Sequence, residues 1–112
     1  MRASTFTFLF AGLASTVFAT DVNEFDNADC SGDAKFPHDL GIFFSASSAS
    51  IDDTTQCIDV KGDDVFAYEG ELDKDDDNCI GTLLGTLPEA KVKPDEFISG
   101  KRVTCVTLET PR

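Results

Sequence analysis

The chain has no tryptophan and only one each of tyrosine, histidine and methionine. Its nine basic residues are outnumbered by 21 acidic ones. A single histidine, His38, set in Pro37-His38-Asp39 with no surrounding motif, leaves no assembled nucleophile, base and orienting group, so no catalytic residue is assigned. The sequence contains no C-x-x-C, and His38 has no cysteine at ligand spacing, which argues against a zinc-type site. The shortage of basic residues argues against binding to nucleic acid or to an anionic membrane. No Asn-x-Ser/Thr triplet is present, because Asn23, Asn27 and Asn78 are each followed by the wrong residues, so N-glycans are not expected.

Long apolar runs are also missing, with one exception at the start. Arg2 precedes an apolar stretch from Phe6 through Ala14, and Val17 and Ala19 are small residues at the positions that signal peptidase reads. The stretch is too short to span a membrane, which takes about 20 residues. The expectation is a signal peptide over 1–19, cleavage after Ala19, and a secreted extracellular domain over 20–112. Arg2 leaves with the signal, so the mature part has eight basic and 21 acidic residues, a formal charge of −13. Such a domain is soluble, repels other acidic molecules and suits an extracellular protein partner or basic surface, itself being a monomer.

Cys30, Cys57, Cys79 and Cys105 all lie in the mature part, and an even count in an oxidising compartment predicts two disulfides. Four of the ten phenylalanines leave with the signal. The expected core therefore rests on Phe25, Phe36, Phe43, Phe44, Phe66, Phe97 and Tyr68 with scattered aliphatics, thin enough for the cross-links to matter.

No Pro/Gly-rich linker divides the chain, and helical periodicity is absent, so one mostly β domain is expected. Short β-type runs lie at Ala34–Phe36, Gly41–Ser45, Gln56–Val60, Val65–Glu69, Cys79–Leu84, Ala90–Val92 and Arg102–Leu108, between clusters that favour turns. The turns include Pro37-His38-Asp39, Lys61–Asp64, Asp75–Asn78 and Pro94-Asp95, and Ser45–Thr55 reads as a solvated loop. Seven short strands predict an all-β, disulfide-stapled Greek-key sandwich.

Two repeated halves are legible in the cysteines. Asn27–Gly32 lies over Asp76–Gly81, and Gln56–Val60 over Thr104–Leu108, with nearly equal spacing from Cys30 to Cys57 and from Cys79 to Cys105. If each half staples its own opening turn to its own closing strand, the pairing is Cys30–Cys57 with Cys79–Cys105. Cys30–Cys79 with Cys57–Cys105 is the alternative.

Phe25-Asp26-Asn27-Ala28-Asp29-Cys30-Ser31-Gly32 resembles the aromatic-x4-aromatic-x-Gly signature that opens each Greek key of the βγ-crystallin fold, with Cys30 in place of the second aromatic. Tyr68 with Cys79-Ile80-Gly81 is a version stretched by an acidic insertion. Asp95-Glu96-Phe97-Ile98-Ser99-Gly100, followed by Val103, is similar to the acidic segment that supplies calcium ligands in that fold, with Gly100 where serine is usual. Asp52–Cys57 is a poorer copy. In layout the chain also looks like the small cysteine-containing proteins that filamentous fungi secrete, many of them effector candidates.

The remaining sites are acidic. Asp73, Asp75 and Asp77 alternate like the first three ligands of an EF-hand loop, but Asn78 takes the glycine position and Leu84 stands where the bidentate glutamate belongs. The EF-hand is excluded. A looser Ca²⁺ site at Asp73, Asp75 and Asp77, or at Asp95, Glu96 and Ser99, competes with a solvated hairpin tip; apart from that Ca²⁺, no cofactor is expected. The function expected is a secreted, non-catalytic interaction module. The alternatives are a Ca²⁺-binding βγ-crystallin-like domain and a hydrolase inhibitor or killer-type toxin.

Overall fold

A computed structural model describes residues 19–41 and 46–111. Most of the expected signal peptide, 1–18, lies outside the described residues, as do Phe43 and Phe44 and most of the strand expected over 41–45. Among the described residues eight strands follow in chain order: β1 (Ala19–Phe25), β2 (Phe36–Gly41), β3 (Ser48–Ser50), β4 (Cys57–Gly62), β5 (Val65–Asp73), β6 (Asn78–Leu87), β7 (Lys91–Val92) and β8 (Cys105–Thr107). Two antiparallel sheets form, in the orders β2-β1-β4-β7 and β3-β8-β5-β6. The first, second and fourth strands of each half build the body of one sheet, and the third crosses to the edge of the other. The chain is thus an all-β Greek-key sandwich of two similar halves, each closed by its own disulfide, Cys30–Cys57 and Cys79–Cys105.

Register makes the equivalence concrete. Phe25 pairs with Cys57 and Tyr68 with Cys105. The amide of Gln56 donates to the carbonyl of Phe25 at 2.8 Å, and that of Thr104 to the carbonyl of Tyr68 at 2.9 Å. Each aromatic packs against its own disulfide, Phe25 with Cys30–Cys57 and Tyr68 with Cys79–Cys105.

The space between the sheets is filled differently from the aromatic core expected. Val22, Leu40, Ile51, Ile58, Val60, Val65, Leu87, Val103 and Val106 form it, all nearly inaccessible to water. Phe97 only borders this cluster, and Phe36 is exposed. Strands with one buried face select β-branched side chains because these pack well on a pleated surface, whereas the described aromatics lie at the disulfides and the rim.

Two local expectations need correction. Pro37-His38-Asp39 is not a turn but the middle of β2, where Pro37 pairs with Asn23 of β1. β2 is an edge strand, so the missing proline N–H costs no ladder bond on its free side. The supposedly solvated 45–55 loop contains β3, whose Ser48 and Ala49 are buried. The hydroxyls of Ser48 and Thr107 satisfy each other at 2.6 Å, which makes a serine-rich strand compatible with burial.

The β5–β6 hairpin reaches past β8. Asp77 at its tip, held at a positive φ, accepts the amide of Ser47 at 2.7 Å, and its carbonyl accepts the Ser48 hydroxyl at 2.6 Å. Ser48 belongs to the opposite edge of that sheet, so the hairpin tip is tied across it. Gly70 and Gly81, paired in register, permit the close crossing. A Cβ on Gly70 would lie 1.8 Å from the carbonyl oxygen of Ile80.

Candidate functional site

Polar side chains converge where β1 and β2 meet the loop between β3 and β4. Glu24 extends from β1 and is 1% exposed. Its Oε1 accepts the amide of Asp52 at 2.8 Å and the hydroxyl of Thr55 at 2.6 Å, and its Oε2 lies 2.5 Å from Nε2 of His38 on β2. A buried carboxylate is costly unless its lone pairs are filled, and here both oxygens are engaged. His38 is therefore not the free, exposed turn residue expected; it is half-buried and bound to Glu24.

Asp52 links this hub to a second one. Its carboxylate accepts the amide of Thr54 at 2.9 Å and also the Thr54 hydroxyl. Those two bonds, chiefly the hydroxyl one, hold the Asp52 carboxyl below the ordinary aspartate value against a lesser effect of desolvation, and the charges of Lys35 and Arg102 add smaller contributions in the same downward direction. Arg102, from the loop before β8, donates through one terminal nitrogen to the carbonyls of Asp52 at 2.8 Å and Thr55 at 3.0 Å. Its other terminal nitrogen meets Asp95 at 2.8 Å. One guanidinium thus ties together the loops that precede the closing strand of each half.

A shallow cavity beside the hub is lined by Glu24, Phe36, His38, Ser50 and Asp52. A histidine on a buried carboxylate is two-thirds of an acyl-transfer triad, and Ser50 shares the cavity. Nucleophilic attack needs the serine hydroxyl within hydrogen-bond reach of the histidine, and Ser50 makes no such bond. Glu24 carried no motif in the sequence. The one available signal was an acidic residue between Asn23 and Phe25 on a strand whose neighbours alternate.

The acidic residues singled out for Ca²⁺ fall into separate environments. Asp73 caps the β5–β6 turn by accepting the amides of Asp75 at 3.0 Å and Asp76 at 3.4 Å. Asp77 is occupied by Ser47. Asp75 is exposed. Asp95 faces Arg102, Glu96 approaches Lys93 at 4.0 Å, and Ser99 is exposed in the same loop. Among the described residues no group of three or more His, Cys, Asp or Glu side chains is placed to hold a metal ion.

Comparison with family models, with curated proteins and with solved structures finds no match. The chemistry of the site must be read from its own residues. Glu24 and Arg102 direct hydrogen bonds inward onto the loop before β4, Glu24 to the Asp52 amide and the Thr55 hydroxyl and Arg102 to the carbonyls of Asp52 and Thr55.

Proposed function

We propose that residues 20–112 form a secreted, non-catalytic protein-binding module of the effector-candidate kind released by filamentous fungi, with residues 1–19 as its signal peptide. The observation that carries the reading is the inward use of Glu24 and Arg102, which converts the polar residues best suited to chemistry into loop anchors. A rigid sandwich with anchored loops is a scaffold for recognition. The two disulfides are consistent with an extracellular protein and support this placement. The two Greek-key halves are compatible with the βγ-crystallin-like resemblance. The calcium reading attached to it has less support, since Asp73, Asp77 and Asp95 already have partners.

The test has two arms. Purified mature protein is assayed against ester, glycoside and peptide substrates, and is cross-linked in extracellular fluid from cells that the producing organism meets. A stoichiometric protein adduct without turnover is expected. Turnover that disappears in His38→Ala overturns the reading, because it makes the Glu24–His38 pair catalytic. A calorimetric titration with Ca²⁺ separates the alternative, which requires heat of binding and a higher melting temperature.

A further inference from the structure

Among the described residues four strands form the edges of the two sheets: β2 and β7 in one, β3 and β6 in the other. Exposed edges invite pairing with other chains, and proteins protect them with proline, charge or shortness. Three of the four edges carry such protection. β2 contains Pro37 and Asp39, β3 has three residues, and β7 has two, one of them Lys91. β6 is different. It runs for ten residues, Asn78-Cys79-Ile80-Gly81-Thr82-Leu83-Leu84-Gly85-Thr86-Leu87, with no charge and no proline, and a bulge at Leu84 is its one irregularity. In a chain that is 27% charged, its apolar residues also face water, with Ile80 54% and Leu83 45% exposed. Phe97, which borders the core, rests on β6 at Gly85.

We infer that β6 is a strand-addition surface that receives an extended, basic peptide segment of a partner protein. The inference rests on the binding-module reading and specifies its surface. Strand addition supplies affinity through main-chain hydrogen bonds and specificity through alternate side chains. Charge selects the partner. A second copy of the mature domain brings the same formal charge of −13 and is repelled, whereas a basic segment is drawn in. The negative charge also lies next to the edge. Glu69 and Glu71 on β5 pair with Thr82 and Ile80, and Asp73 and Asp76 line a cavity with Tyr68, Asn78 and Ile80 at the end of the strand. A lysine or arginine on the incoming strand can reach that cavity while apolar residues lie beside Leu83.

The probe is a ten-residue alternating Lys-Val peptide titrated into ¹⁵N-labelled mature protein. The expected result is saturable amide shifts centred on Ile80–Thr86. Binding should be at least tenfold weaker for the same peptide with a central proline, for a Glu-Val counterpart, and for the Leu83→Lys, Thr86→Lys double variant. That double variant adds charge to exposed positions, and its fold is checked by circular dichroism and intact disulfides. The Leu83→Thr variant, which keeps β propensity without adding charge, guards against loss of fold in the double variant. It should bind more weakly than the parent and more tightly than the double variant. Equal binding of the proline peptide, shifts confined to the acidic hairpin tip, absence of binding at millimolar peptide, or a β6-to-β6 dimer in sedimentation would each overturn the assignment. Those results leave the binding-module reading standing. That reading is decided separately, by the adduct, turnover and Ca²⁺ measurements described above.

Discussion

Phe25 and Tyr68 hold equivalent positions in the two sheets, one opposite Cys57 and the other opposite Cys105, each packed on the disulfide of its own half. The two bridges close segments of nearly the same length, with separations of 27 and 26 residues. Chain entropy then assigns them nearly the same stabilisation, about 3–4 kcal/mol each. Cys30→Ser with Cys57→Ser, and Cys79→Ser with Cys105→Ser, should lose similar amounts in urea unfolding. Reduction of both should unfold the domain, because total stability at this size is about 5–15 kcal/mol. Non-reducing peptide mapping should join Cys30 to Cys57 and Cys79 to Cys105. A peptide linking Cys57 to Cys105 would defeat the two-half architecture.

How much of this was legible depended on the kind of signal. Cysteine spacing and the placement of Gln56-Cys57 over Thr104-Cys105 survive in the register, because covalent cross-links and main-chain pairing are set by position along the chain. Runs such as Val65–Glu69 were readable from β-branched and aromatic content. β2 was missed because proline and aspartate read as a turn unless the strand is known to be an edge, which is a property of the whole sheet. β1 was missed because Asp21 and Asn23 obscure the alternation of Thr20, Val22 and Glu24. Its inward face includes a glutamate that is tolerable only once Asp52, Thr55 and His38 close around it.

The proposed cleavage after Ala19 would have a structural consequence. Ala19 begins β1, pairs with Gly41, and its carbonyl accepts the amide of Asp63 at 3.3 Å. Cleavage there would remove these contacts. Thr20 keeps its own anchor, a hydroxyl bond of 2.7 Å to the carbonyl of Asp63. Intact-mass analysis of secreted protein should therefore give a mature chain beginning at Thr20 with β1 still paired. A secreted species that retains residues 1–19 contradicts the cleavage assignment.

Removing Glu24 strands its donors. Glu24→Ala leaves the Asp52 amide and the Thr55 hydroxyl without their acceptor and opens a cavity, with an expected loss of about 3–5 kcal/mol. His38→Ala should cost less, about 1–2 kcal/mol, since its side chain is 26% exposed and water can reach the vacated carboxylate oxygen. Denaturant titration of the two variants ranks them. The reverse order would mean that His38, not the loop, is what Glu24 supports.

Arg102 should resist its usual conservative replacement. Lysine retains the charge but cannot present a planar fork to Asp95 and to two carbonyls at once. Arg102→Lys is expected to lose about 1–2 kcal/mol, on the scale of one or two hydrogen bonds. Amide exchange should accelerate in both loops, 52–55 and 95–102, together. Acceleration in only one of them would show that the guanidinium does not couple the halves.

The last prediction concerns pH. Asp21 on β1 pairs directly with Asp39 on β2 and, on its other side, with Lys61 of β4. Hydrogen bonding with Asp39, burial and the Asp39 charge raise the Asp21 carboxyl above its ordinary value, and Lys61 only partly offsets them. A carboxyl raised in the folded state binds its proton more tightly there than in the unfolded chain. Its favourable contribution is therefore complete below the unfolded value and is lost as pH rises through the raised one. At neutral pH the pair opposes folding. Asp39→Asn should then stabilise the domain at neutral pH, by about 0.2–0.5 kcal/mol for like charges facing across exposed strands. Added salt should narrow the gap by screening the wild-type pair. At about pH 3, below the ordinary carboxylate range, the gap should close. Asp52, held low by Thr54, works in the opposite sense, so Asp52→Asn should weaken the fold at neutral pH and matter least in acid. Urea midpoints of the three proteins at the two pH values decide the matter. An Asp39→Asn protein no more stable than wild type at neutral pH, in low salt, would show that Lys61 already neutralises the pair.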